Sequence, residues 1–347
     1  MERLGDYELL ELIGDGAQGK VFKARPVTDA ARAAARAPYA AVKVFRLGGS
    51  SHQTVERFVR QARHLWALDH PNIVRFTDVF TWHEGEWDEA TCIVMEYLEG
   101  ETLQDRLARE PDGLPWDTVR EIFSGCLKAL VYAAGEQVIH RDLKLSNIFL
   151  AAGGVVKLID FDVARHADGT QTTTAGWKGT FDYMAPDFVT VAEFRGDEQS
   201  DIFSLGVCCY QALSGELPYP ALGEGAHIGY LNRWSRPDDV RPRMDGPPFK
   251  VLNGLRVFFS RCLTPVRRDR FENFAEMLQA WEGIEPRAVG PEEGDRYVLT
   301  GWLGKGGCGE IYEARRERDG LRVAVKYLYI DKQRGRFIRE ARILQKY

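Results

Sequence analysis

His140-Arg141-Asp142-Leu143-Lys144-Leu145-Ser146-Asn147 is the stretch that decides how this chain is read. It offers a carboxylate, then a lysine, then a carboxamide within one short segment. A carboxylate at Asp142 can take a proton from a hydroxyl. An ammonium at Lys144 can neutralise a moving anion, and an amide oxygen at Asn147 can hold a hard divalent cation. Just downstream, Val156-Lys157-Leu158-Ile159-Asp160-Phe161-Asp162 ends an apolar strand on an acid. Taken alone, such an Asp is an ordinary turn or cap residue. Following Asn147 so closely, Asp160 reads instead as a second oxygen ligand for the same cation.

Upstream, Gly14-Asp15-Gly16-Ala17-Gln18-Gly19-Lys20-Val21 is a G-x-G-x-x-G run. Glycines let a backbone close over phosphates and present its N–H groups to them. The same spacing opens a Rossmann unit, which runs from strand to helix. Here Val21-Phe22-Lys23-Ala24 continues as strand, so the pattern predicts a strand–turn–strand lid. Ala41-Val42-Lys43-Val44 then places a lysine inside an apolar strand. Alone, Lys43 reads as a surface residue with a snorkelling stem. Beside a glycine lid and a catalytic-type acid, it reads as a phosphate partner. Phosphoryl transfer depends on such positioning and charge neutralisation more than on covalent chemistry.

Composition bounds the setting. The chain has 347 residues, 44% apolar and 28% charged, which suffices for a large globular core. The formal net charge of -5 argues against nucleic acid as the main partner, because phosphate neutralisation needs clustered Lys and Arg. Cys92, Cys126, Cys208, Cys209, Cys262 and Cys308 form no C-x-x-C pair and mostly lie in apolar runs. They read as buried thiols of a reducing compartment. No apolar stretch approaches the roughly 20 residues of a spanning helix, and Met1 to Tyr7 has no secretory pattern. The expectation is a cytoplasmic protein without a membrane partner.

From about Tyr7 to Trp281 the chain resembles the eukaryotic-type (Hanks-type) Ser/Thr protein kinases. The resemblance is carried by the motifs above, by Gly179-Thr180-Phe181-Asp182-Tyr183-Met184-Ala185-Pro186-Asp187, and by Ser200-Asp201-Ile202-Phe203-Ser204-Leu205-Gly206. It implies an α+β bilobal fold, with a β-rich N-lobe up to about residue 97 and a helical C-lobe from 98 to 284. It implies transfer of the ATP γ-phosphate to Ser or Thr of protein substrates, with Asp142, Lys144, Asn147, Asp160 and Lys43 as the catalytic set. Mg2+, or Mn2+ as a second candidate, would sit on Asn147 and Asp160. Nucleotide would be held by Ile13, Gly14, Gly16, Gly19, Val21, Ala41, Lys43, Met95, Glu96, Leu98, Phe149 and Ile159. Glu96 to Leu98 would be the hinge that meets adenine, and Glu101 would approach the ribose. Asp201 would brace the catalytic loop, and Arg270 would pair with Asp187. Thr172, Thr173 and Thr174 are candidates for loop phosphorylation, with Thr180 lining the acceptor site. A mobile polar loop with no regulated site has a similar composition.

Two positions depart from the family pattern. The helix acid that should pair with Lys43 is Gln61, which offers a hydrogen bond but no charge. The glycine expected after Phe161 is Asp162, which restricts the backbone freedom around Phe161. Neither change removes the acid, the cation ligands or the lysine, so an active enzyme is expected. The alternatives are a pseudokinase, binding ATP as a regulator or scaffold, and a small-molecule phosphotransferase. Against the latter stand the activation segment and the Asp187–Arg270 pairing.

The chain also repeats itself. Tyr7 to Gly16 resembles Tyr297 to Gly306, Ala41-Val42-Lys43 matches Ala324-Val325-Lys326, and Arg57 to Leu65 matches Arg336 to Leu344. In the second copy Glu340 stands where Gln61 stands in the first. This reads as a kinase domain over 1–284, a Pro- and Gly-containing linker over 285–294, and a truncated second kinase-like N-lobe over 295–347. That piece carries no catalytic loop; a fragment of a longer tandem kinase is the favoured reading, packed on the first domain or on a second chain. The first copy has extra length at Ala30 to Arg36, read as a hairpin-loop insertion although the run favours helix.

Overall fold

The computed structural model describes residues 2–16, 19–46, 52–161, 181–191, 194, 196–222, 225–236, 240–244, 248–290, 295–306, 309–328 and 343–344. The N-terminal part opens with β1 (Arg3–Leu4), β2 (Tyr7–Gly16), β3 (Gly19–Pro26), helix α1 (Asp29–Ala35) and β4 (Ala40–Arg46). It continues with α2 (His52–Trp66), β5 (Phe76–Trp82) and β6 (Ala90–Glu96). Its strands form one sheet in the order β1-β2-β3-β4-β6-β5. β2 and β3 join at the glycine-rich turn as antiparallel strands, with Gly14 opposite Val21 and Gly16 opposite Gly19. The strands expected on both sides of the glycine run are present. Gly19 has φ 144°, and a Cβ there would lie 2.3 Å from the carbonyl oxygen of Val44, so only glycine fits.

The two faces of this sheet are packed differently. On one, Ala41, Phe45 and Met95 join the main core with Phe58, Ala62 and Leu65 of α2. On the other, Tyr7, Leu9, Ala24, Ala40, Val42 and Val44 form a separate cluster with Ala31 of α1 and Trp87. The expected hairpin loop is thus a capped helix. Thr28 Oγ1 accepts from the N–H of Ala31 at 3.2 Å, and Arg36 ends the helix in the left-handed region. The alanine-rich run forms a helix because burial of Ala31 adds to its local preference.

The helical part follows with β7 (Gly100–Thr102), α3 (Leu103–Arg109), α4 (Trp116–Gly135), β8 (Ile148–Ala151) and β9 (Val156–Leu158). Then come α5 (Asp187–Thr190), α6 (Glu198–Ser214), α7 (Ala226–Trp234), α8 (Pro248–Val251), β10 (Leu252–Asn253), α9 (Leu255–Cys262) and α10 (Phe274–Glu282). α4 buries Val119, Ile122, Phe123, Cys126, Leu127, Leu130 and Ala133 at helical spacing. Each large apolar side chain so buried contributes about 1.5–3 kcal/mol. α6 starts at a reciprocal cap between Asp197 and Ser200, stops at Gly215, and is buried on most sides. The five described cysteines are free and buried.

Residues 285–289 are tied down rather than free. β11 (Glu285–Pro286) pairs with β10, and β12 (Ala288–Val289) pairs with β13 (Tyr297–Gly306). β13 continues into β14 (Gly309–Arg316), β15 (Arg322–Leu328) and β16 (Ile343–Leu344) in one sheet, ordered β12-β13-β14-β15-β16. The β13–β14 register repeats that of β2–β3 position for position, including both irregularities. Ile311 lies opposite Lys326 just as Val21 lies opposite Lys43.

This sheet packs on the helical part of the chain. Tyr297, Leu299, Tyr312, Ala314, Val323 and Val325 belong to the same buried cluster as Phe249, Val251 and Leu252. Lys250 forms an ion pair with Glu310, whose other oxygen accepts from the Tyr312 hydroxyl at 2.7 Å. Phe249→Ala should cost about 3–5 kcal/mol, the usual range for a buried Phe. Urea denaturation measures that cost, and limited proteolysis should release the 295–347 segment faster from the variant than from the parent chain.

Candidate active site

The catalytic-type loop is held from below by one buried acid. Asp201, near the start of α6, is 2% exposed. Its Oδ2 accepts from the backbone N–H of His140 at 2.8 Å, and its Oδ1 accepts from that of Arg141 at 3.0 Å. Arg141 adopts φ 64°, which a non-glycine residue holds only when its surroundings impose it. Its Nε donates to the Gly196 carbonyl at 3.2 Å. Thus α6 sets the path of the chain into Asp142.

At Asp142 three predicted residues meet. Lys144 Nζ lies 2.7 Å from Asp142 Oδ2. Asn147 Nδ2 donates to the Asp142 carbonyl at 2.7 Å and to its Oδ2 at 3.1 Å. Asn147 is buried at the end of a short 3-10 turn over Leu145–Asn147. Its amide nitrogen is thereby committed to Asp142, which leaves its oxygen for a different partner.

The second cluster is Lys43 with Asp160. Lys43 Nζ lies 2.9 Å from Asp160 Oδ1, although the two are far apart in sequence, and Lys43 is 6% exposed. Asp160 has φ 60°, a second left-handed non-glycine residue in the site. The N–H of Ile159 donates to the Asn147 carbonyl at 3.0 Å, which fixes the strand end carrying Asp160 to the loop carrying Asn147.

His140, which the motif reading left without a role, joins these two segments. It is fully buried. Its Nδ1 accepts from the N–H of Asp142 at 3.3 Å, so Nε2 carries the proton toward the Ile159 carbonyl at 3.0 Å. Its ring lies 4.4 Å from that of Phe161. Burial holds its pKa down at about 4.

Around this centre, Met95 and Ala41 are buried, and Val21, Leu98 and Ile159 are half-buried against the main core. Phe149 pairs with Thr102 in the β7–β8 ladder and is half-buried, while Ile13 is 44% exposed on the lid. Glu96 ends β6. Glu101 is engaged by Arg106 and Arg109 of α3, which turns its carboxylate toward that helix. Gln61 lies in α2, but its side chain is outside the described residues, as are Asp162, Thr172, Thr173, Thr174, Thr180 and Glu340.

Further along the chain, Asp187 is 1% exposed and paired with Arg270 at 2.6 Å. A second arginine, Arg267, also reaches Asp187 at 3.0 Å and binds Asp197. Sequence reasoning missed Arg267. Its place three residues before Arg270 in a 3-10 turn was the available signal.

Residues 7–280 match the family described as the protein kinase domain. The chain belongs to the protein kinase family. It is similar to serine/threonine-protein kinase PknB of Mycobacterium leprae, with 35% identity over 81% of this chain and 44% of that protein. Serine/threonine-protein kinase pkn3 of Myxococcus xanthus is 31% identical over 79% of this chain and 49% of that protein. Serine/threonine-protein kinase 36 of Pongo abelii is 35% identical over 72% of this chain and 18% of that protein. The chain therefore spans less than half the length of these relatives. Within the kinase family's frame, the sheet is the N-lobe and the helical part the C-lobe.

The two residues expected to hold a cation, Asn147 and Asp160, are both oxygen donors, which suits a hard metal. The described residues include no group of three or more His, Cys, Asp or Glu able to cage an ion. Asp160 and the Asn147 amide oxygen supply two oxygen donors, the arrangement Mg2+ accepts when phosphate and water complete its shell.

The buried His140 makes a pH prediction. Its unfolded pKa is the ordinary 6.5 and its folded value about 4, so between them the unfolded chain binds more protons. Stability should therefore rise with pH across that window, and fall as pH drops from 6.5 toward 4. Denaturant midpoints measured across this range should show the slope in the parent chain, and a shallower one in His140→Asn.

Proposed function

We propose that this chain transfers the γ-phosphoryl group of ATP to serine or threonine hydroxyls of proteins. The observation that carries this reading is the Asp142 carboxylate held by Lys144 and Asn147, with the Lys43–Asp160 pair on the strand end bonded to the same loop. Asp142 takes the hydroxyl proton as the new O–P bond forms and the bond between the γ-phosphorus and the bridging oxygen breaks, releasing ADP. Lys144 offsets the negative charge that develops on the transferring group. Lys43 pairs with nucleotide phosphates, and its neighbour Asp160 with Asn147 holds Mg2+, Mn2+ being a second candidate. The metal, when bound, screens the phosphate charges. Lys144 is the residue by which the resemblance assigns Ser/Thr acceptors.

The glycine lid at Gly14, Gly16 and Gly19 covers the phosphates, while Ile13, Val21, Ala41, Met95, Leu98, Phe149 and Ile159 wall the adenine pocket. Backbone groups from Glu96 to Leu98 meet adenine. Thr172 to Thr174 take phosphate by autophosphorylation, Thr180 lines the acceptor site, and Phe161 and Gln61 tune the active geometry. Residues 295–347 are a partial second kinase N-lobe; the shared register of the two hairpins supports this. No helix among the described residues is long and apolar enough to cross a membrane, and the buried free thiols suit a reducing cytoplasm. A second reading, an ATP-binding regulator without turnover, is favoured by Gln61, which removes the charge expected opposite Lys43.

Incubation with labelled ATP and Mg2+ separates the two. Asp142→Ala should lower phosphate transfer on the order of 10²–10⁴-fold while ATP binding persists. Label confined to the parent chain and mapping to Thr172, Thr173 or Thr174 would establish autophosphorylation. Equal incorporation in both proteins, or none in either with ATP still bound, would overturn the catalytic reading. Gln61→Glu should preserve or raise the rate; a loss of rate with the fold intact would remove Gln61 from the Lys43 position.

A further inference from the structure

The helix inserted between β3 and β4 is connected to the hinge by a chain of polar contacts. Arg75, just before β5, reaches the C-terminal end of α1 with both guanidinium nitrogens. Nη1 donates to the Ala34 carbonyl at 2.9 Å and Nη2 to the Ala35 carbonyl at 2.7 Å. The end of a helix carries unsatisfied carbonyls and partial negative charge, so a two-pronged cation is well matched to it. The backbone of the same arginine is bound to Glu96. Arg75 N donates to Glu96 Oε1 at 2.8 Å, and Glu96 N donates to the Arg75 carbonyl at 2.9 Å.

Glu96 Oε1 also accepts from Lys157 Nζ at 2.7 Å, and both side chains of that pair are mostly buried. Lys157 donates in addition to the Ile73 carbonyl at 3.2 Å, and it lies in β9, the strand that leads to Asp160. A second contact runs beside the first. Tyr39, which follows the insertion, meets Tyr97 edge to face with ring centres 6.1 Å apart. Lys23 of β3 stands 4.2 Å from the ring centre of Tyr39 and 4.5 Å from that of Tyr97. Cation–aromatic contact of this kind holds the rings in place.

We propose that α1 is a brace for the hinge and that Arg75 is the positioning residue that transmits it. The insertion fixes Arg75, Arg75 fixes both backbone and carboxylate of Glu96, and Glu96 to Leu98 then meet adenine in a set geometry. Its effect on nucleotide affinity rests on the kinase reading above; its effect on hinge order does not.

The test pairs Arg75→Ala and Arg75→Lys with the parent chain, each as the full chain. Amide hydrogen exchange over residues 95–99, measured without nucleotide, reads the brace directly. Exchange there should quicken in Arg75→Ala and recover in part in Arg75→Lys, since lysine keeps the charge but loses the fork. In turnover assays the KM for ATP should rise roughly three- to tenfold, the range of a lost charge-assisted contact only partly expressed at the pocket, with kcat within about twofold. Unchanged hinge exchange in Arg75→Ala would overturn the proposal. So would a fall in melting temperature with unchanged KM and exchange, which marks a purely structural arginine. Faster hinge exchange in a chain that shows no turnover would sink the catalytic reading and leave the brace standing.

Discussion

Asp201 is a carboxylate with almost no access to water, and it is spent on two backbone N–H groups. A buried charge is tolerated only when hydrogen bonds replace its hydration. Here those bonds come from the loop that must be bent most sharply. Arg141 is held at φ 64° against an intrinsic cost of about 1–3 kcal/mol, and its N–H points at the acid that offsets that cost. The capped start of α6 places Asp201, Asp201 places Arg141, and Arg141 precedes Asp142. The Asp142 carboxylate is therefore positioned by the helical core rather than by the loop that bears it. The Asp187–Arg270 pair, itself buried, ties the segment around Asp187 to the start of the same helix, because Arg270 also donates to the Gln199 carbonyl at 3.2 Å.

His140 extends this logic to Asp160. Its two ring nitrogens bridge the Asp142 N–H and the Ile159 carbonyl, so one neutral imidazole links the loop of Asp142 to the strand end of Asp160. A charged ring would have no acceptor for its second proton there, since Nδ1 already faces a donor. The low pKa and the geometry are two expressions of the same burial. The Phe161 ring packs against this imidazole.

The strands flanking the glycine run and the Asp142 cluster were legible in the sequence, because each is written in local spacing, while the two lobes were reached through resemblance. Glycine spacing between two strand-like segments predicts a turn. The long-range partners were harder. Asp201 and Arg270 were reached only through resemblance, and Arg267 and Arg75 were not reached at all. Their partners lie tens of residues away, and nothing in a local window marks an arginine that will meet a helix end. The insertion shows the same limit from another side. Its composition favoured a helix, yet its position between two strands argued for a loop. What decides the matter is burial of Ala31 against the back of the sheet, a tertiary term that local patterning does not contain.

The back of the sheet is where the two copies differ. Tyr7, Leu9, Phe22, Ala24, Ala40 and Val42 of the first hairpin have as counterparts Tyr297, Leu299, Tyr312, Ala314, Val323 and Val325 of the second. Both sets are apolar, and both must be kept from water. In the first copy α1 and Trp87 cover them, and they form a cluster of their own. The second copy has no inserted helix, only the short turn from Glu317 to Leu321 between β14 and β15. Its apolar back is covered instead by Phe249, Val251 and Leu252 of the C-lobe, with Lys250 and Glu310 alongside. One sheet brings its own cover and the other borrows it. The short turn at 317–321 leaves the back of the second sheet open to the C-lobe, whereas the helix at 29–35 closes the same face of the first and leaves its end for Arg75 to hold.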